Sequence, residues 1–123
     1  MAGGARLYPL GMPASPATIL IVDDHPSFRS SARVLLEAEG YEVIGEAADG
    51  ASALSMLRQL RPDIVLLDLG LPGLDGIAVI EALRGWSNVP IIVLTAREDE
   101  RSKVLALEAG ADDYVTQTYR LRE

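Results

Sequence analysis

Three runs of four consecutive apolar residues, each ending on a polar side chain, constrain this chain more than any other feature. Ile19-Leu20-Ile21-Val22 stops at Asp23-Asp24, Ile64-Val65-Leu66-Leu67 at Asp68, and Ile91-Ile92-Val93-Leu94 at Thr95. Runs this short and this uniformly apolar suit strands that are covered on both faces.

Helical stripes stand between them. Phe28, Ala32, Leu35 and Leu36 recur at helical spacing and end at Glu39-Gly40. Asp49 is placed to cap a second helix carrying Ala53, Leu54 and Leu57, which Pro62 ends. A loop rich in Gly and Pro, from Gly70 to Gly76, leads into a third helix with Ile77, Ile80 and Leu83. A fourth, around Arg101–Ala109, stops at Gly110. Val43-Ile44 and Tyr114-Val115-Thr116 supply two more strands. Five strands alternating with four helices predict an α/β fold, a doubly wound parallel five-stranded sheet.

A chain of 123 residues suits one compact domain. Its net charge of −7 argues against this chain gripping a nucleic-acid backbone, which needs clustered Lys and Arg. No apolar run approaches the roughly 20 residues of a membrane helix. Residues 1–17 are rich in Gly, Ala and Pro and read as a flexible N-terminal extension, leaving 18–123 as the domain. Pro9, Gly11, Pro13 and Pro16 break any signal-peptide core. The absence of cysteine removes disulfide and thiolate chemistry and fits a reducing, cytoplasmic setting.

In open parallel sheets, ligands bind beyond the carboxyl ends of the strands, where the strand order reverses. If strand one lies beside strand three, in the order 2-1-3-4-5, then Asp23, Asp24 and Asp68 converge. Two carboxylates about 5 Å apart repel by roughly 3 kcal/mol at an effective dielectric near 20. Protonation, a basic residue or a metal must offset this. Oxygen donors at an open site suit Mg2+. A carboxylate beside that ion is able to attack a phosphoryl group and form an acyl phosphate. Thr95 is then placed to donate its hydroxyl to the new phosphoryl oxygens.

The strings ILIVDDHPSFR, DIVLLDLGLPGLDG, PIIVLTARE and LEAGADDYVT, in this order and at these intervals, resemble the landmarks of response regulator receiver domains in two-component signalling. The resemblance covers Thr18 to Thr116 and implies the flavodoxin-like fold. By position it implies Asp68 as phosphoryl acceptor. Asp23, Asp24, Asp68 and the backbone carbonyl of Gly70 become the magnesium site, with Asp24 the direct ligand of the acidic pair. It makes Thr95 and Tyr114 the switch pair, and gives Pro72, Gly73 and Gly76 the shaping of the loop after Asp68. It further implies a sensor histidine kinase or small phosphodonor upstream, an effector domain or protein downstream, and a homodimer face near Lys103 and the fourth helix. The chain would accept a phosphoryl group by its own catalysis without being an enzyme that turns over a substrate.

Two departures from the family pattern stand out. The family's Lys-Pro-Phe after the fifth strand reads Gln117-Thr118-Tyr119, so the lysine that pairs with the phosphoryl group is replaced by an uncharged side chain. The second is a short end, Arg120 to Glu123, which leaves a fifth helix truncated or absent. One face of the sheet then expects cover from the N-terminal extension or a second chain. Gln117 also keeps open an alternative function, a degenerate receiver acting as a phosphorylation-independent interaction module.

Plainer readings stand beside these. Asp23-Asp24 also suit a helix cap, Thr95 a helix N-cap, Tyr114 and Trp86 packing, His25 a polar surface position, and Asp112-Asp113 a solvated turn. A phosphatase of the haloacid-dehalogenase type would want a second Asp where Gly70 stands. No Gly-x-Gly-x-x-Gly follows the first strand, so neither a flavin nor a dinucleotide is indicated.

Overall fold

The structure is a computed structural model that describes residues 16–71, 75–96 and 100–117; the side chains of Ala96 and Gln117 are outside the description. The expected extension therefore lies almost wholly outside the described residues, as do Pro72, Gly73 and the end from Thr118.

The elements run β1 (Thr18–Val22), α1 (Pro26–Ala38), β2 (Glu42–Ala47), α2 (Gly50–Leu60), β3 (Ile64–Asp68), α3 (Gly76–Arg84), β4 (Ile91–Ala96), α4 (Glu100–Ala109) and β5 (Asp113–Gln117). All strand pairs are parallel and the order is β2-β1-β3-β4-β5, as the strand-end reading requires.

Alternation along β1 sorts the core into two layers, because successive side chains of a strand face opposite ways. Leu20 and Val22 join Val65, Leu67, Ile91 and Val93 beneath Ala53 and Leu57 of α2, Val79, Ile80 and Leu83 of α3, and Ala106 of α4. Ile19, Ile21 and Val43 meet Ala32 of α1 on the other face. Among the described residues α1 is the one helix on that second face, and Val34, Leu35 and Val115 remain exposed.

The helix ends follow local chemistry. Asp49 caps α2, its carboxylate accepting from the Ser52 amide at 2.8 Å, and Asp75 caps α3 through Ala78 at 2.9 Å. The cap residue of α1 is His25, with Pro26 opening the helix and no side-chain cap bond. The acidic pair is thus not the helix cap and is left available at the strand end.

Gly76 meets a steric demand. A Cβ there would stand 2.6 Å from Leu69 Cα, pressing the start of α3 into the backbone that follows Asp68. Gly76→Ala is expected to destabilise the fold by about 2 kcal/mol through overpacking. A lower urea midpoint at an unchanged slope would show it; an unchanged midpoint would mean the loop relaxes freely.

Candidate metal and phosphoryl site

Register delivers the acids to one rim. Val22 pairs with Leu67, so Asp23 and Asp68 follow at the ends of adjacent strands, and Asp68 in turn pairs with Leu94, next to Thr95. Asp23, Asp24, His25 and Asp68 each offer a ligand atom, all within 4.8 Å of one another.

The four differ in surroundings. Asp23 is buried, 2% exposed. Its amide donates to the Ala47 carbonyl at 3.0 Å, its Oδ1 accepts from the His25 amide at 2.8 Å, and its carbonyl accepts from Arg29 Nη1 at 2.6 Å. Asp24 is more open, yet its Oδ1 is shielded from water and has no hydrogen-bond partner among the described residues. It lies 3.2 Å from His25 Nδ1, close enough for attraction but outside hydrogen-bond geometry. Asp68 accepts from the Gly70 amide at 3.1 Å.

The charges leave their mark on acidity. Burial first, and then the nearby Asp23 and Asp24, push the Asp68 carboxyl up to about 6, against the pull of the Gly70 amide and His25. His25 is raised above its usual value, chiefly by its hydrogen bond to Asp23 and then by Asp24. Its ring Nδ1 stands 3.0 Å from Asp23 Oδ1.

Thr95 is buried at the end of β4 and its hydroxyl has no partner among the described residues. An unpaired buried hydroxyl is unfavourable, so Thr95→Val is expected to stabilise the unphosphorylated fold by about 1 kcal/mol. Urea unfolding checks this, and a clear destabilisation would mean that the hydroxyl is already bonded in solution.

These observations fit a hard divalent cation. Oxygen donors converge from two strand ends, one shielded carboxylate oxygen lacks a donor, and Asp68 resists ionising without a compensating charge. No lysine serves the site among the described residues. The chain's single lysine, Lys103, is 8% exposed on α4, 3.3 Å from Glu100 and 5.0 Å from the centre of the Tyr114 ring. Lys103 is therefore packed against its own chain, with the Tyr114 ring over its ammonium group. Gln117 ends β5 opposite Ala96, beside the Thr95–Thr116 pair.

The model of the response regulator receiver domain family matches residues 19–123. The chain belongs to that family. The receiver is 49% identical over 105 residues to the transcriptional regulatory protein KdpE of Mycobacterium tuberculosis, covering 85% of this chain and 46% of that protein. It is 50% identical over 107 residues to the DNA-binding response regulator MtrA of Mycolicibacterium smegmatis, with the same shares. The chain thus spans about half the length of these curated relatives. Among solved structures, a two-component response regulator of the LuxR family from Aurantimonas sp. SI85-9A1 superposes with a TM-score of 0.80 at 42% identity, covering 85% of the receiver and 76% of that chain.

Arg29 is the participant that sequence reasoning missed. His25 is exposed, as expected of a polar surface position, and the turn after β1 also brings its ring close to both acids. Arg29 bridges the Asp23 carbonyl to Glu46, which also holds Arg33 at 2.8 Å. An arginine one turn into a helix that begins just after an acidic pair was the available signal.

Proposed function

We propose that the receiver is a phosphorylation switch whose acceptor is Asp68, working with Mg2+ held by Asp23, Asp24, Asp68 and the Gly70 carbonyl. The observation that carries this is the meeting of three carboxylates at the ends of β1 and β3 beside the unpaired Thr95 hydroxyl.

An oxygen of ionised Asp68 attacks the phosphorus of a donor, either a phosphohistidine of a sensor kinase or a small acyl phosphate. The new Oδ–P bond forms as the donor's N–P or O–P bond breaks, and the bonding pair leaves with the donor. Bound magnesium supplies charge neutralisation for the phosphoryl oxygens. Thr95 donates to one of those oxygens and so gains the partner it lacks. The added charge of about −1.5 to −2 biases the β4–α4–β5 surface toward a second arrangement. That surface contacts an effector domain or protein, and the chain turns over no substrate of its own. An acidic, cysteine-free receiver acting beside a kinase belongs in the cytoplasm.

The test is intact mass after incubation with Mg2+ and acetyl phosphate or phosphoramidate. Wild type should gain one phosphoryl group and Asp68→Asn none; equal labelling of both would refute the assignment.

Gln117 favours a second reading, an interaction module that works without phosphorylation. Full partner binding by Asp68→Asn would select it.

A further inference from the structure

At the opposite end of the sheet a cavity of about 480 Å³ opens between the last turn of α2, the end of α3 and the approach to β4. Leu57, Leu83 and Val89 form apolar wall, while Trp86, Arg58 and Arg61 line the same space. Its volume falls within the range of small-molecule sites, and its wall is as polar as it is apolar.

We propose that this cavity binds a small aromatic anion, a planar ring carrying a carboxylate or a phosphate. Three observations carry the assignment. The Arg58 guanidinium stacks on Trp86, 4.3 Å from the ring centre, although Trp86 is 41% exposed. That keeps a cation and a large aromatic surface together at the mouth of the cavity. Arg61 takes the left-handed backbone at the α2 C-cap, with φ of 51°, where Gly or Asn is usual. It is the one non-glycine with positive φ among the described residues.

The third observation is charge. In a chain of net charge −7, Arg29, Arg33, Arg84 and Lys103 all hold carboxylates. Arg58, Arg61 and Arg101 have none among the described residues, and the first two both line the cavity. The acid cluster lies a strand's length away, about 15 Å at roughly 3.3 Å per residue. That exceeds the screening length of about 8–10 Å, so the acids do not cancel the attraction. The bland reading is that both arginines merely complement the C-terminal dipole of α2. It does not explain the stack on an exposed indole or the open cavity beside it.

Trp86 is the single tryptophan of the chain, so its emission reports on this cavity alone. The experiment titrates the protein with benzoate and with adenosine monophosphate, following Trp86 emission and heat. Inorganic phosphate and benzyl alcohol serve as charge-only and ring-only probes. Saturable binding of at least one ring anion is expected, with each single-feature probe about tenfold weaker or more. Which ring anion binds distinguishes carboxylate from phosphate. The double variant Arg58→Gln/Arg61→Gln should lose at least about tenfold in affinity by calorimetry and each single variant at least about threefold, while Arg101→Gln, which removes one charge elsewhere, should change it less than about twofold. No saturation by either ring anion up to about 10 mM would overturn the proposal. So would equal binding of phosphate or benzyl alcohol, or undiminished affinity in the double variant.

Discussion

Asp68→Asn is expected to stabilise the metal-free receiver by about 1–2 kcal/mol at pH 7.5, even as it removes the proposed phosphoryl acceptor. The folded protein holds the Asp68 proton more tightly than the unfolded chain does, with a pKa pushed up to about 6. The ionised carboxylate is therefore a destabilising element above that pH. Its penalty is fully present above about 6, shrinks as pH falls toward 4, and is gone once the unfolded carboxyl is protonated too. About two pH units would correspond to roughly 3 kcal/mol, which partial exposure and water screening reduce.

Glu46 and Asp49 act in the opposite sense. Pairing with Arg33 and Arg29 lowers the first, and the Ser52 amide lowers the second, so both contribute stability that is lost on acidification. Comparing wild type with Asp68→Asn cancels these shared contributions. The difference in unfolding free energy should be largest above pH 7 and vanish near pH 4. Added Mg2+ should narrow or reverse it, since a ligand that binds the folded state stabilises it. A difference that does not depend on pH would show that Asp68 is fully hydrated and unperturbed.

Gln117→Lys is expected to raise the population of the phosphorylated, active arrangement ten- to a hundredfold. Gln117 ends β5 beside the Thr95–Thr116 pair, at the rim where the acids gather. A charge-assisted bond to the phosphoryl group contributes about 1.5–3 kcal/mol, against much less for a neutral amide. Each 1.4 kcal/mol is a factor of about ten in that equilibrium. Amide shifts of α4 and β5 residues, recorded with and without phosphorylation, measure the change. If the substituted protein matches wild type in both states, the lost lysine does not limit the switch.

The fold was legible because doubly covered strands leave unbroken apolar runs, and Ile19–Val22, Ile64–Leu67 and Ile91–Leu94 are such runs. The edge strand was less so. Val43-Ile44 extends to Glu42–Ala47 in the structure because Gly45 packs under Leu60 and Leu20 while Glu46 is tied to two arginines. Neither residue reads as strand by propensity. The acids were legible from strand register; their neighbours were not, since contacts across a turn or between elements leave no period. Asp112 is exposed, as a solvated turn predicts, and its Oδ2 also accepts from the Ile91 amide at 2.8 Å and from Arg84 at 3.0 Å, stapling the start of β4. Trp86, read as packing, packs against the Arg58 guanidinium while staying partly exposed.

Magnesium titration followed by amide NMR bears most directly on the shared cation site. Saturating shifts should be confined to residues around 23–25 and 68–70 and should be lost in Asp24→Asn. Shifts spread over surface acids, or none at millimolar metal, would mean that the three carboxylates meet for some other reason.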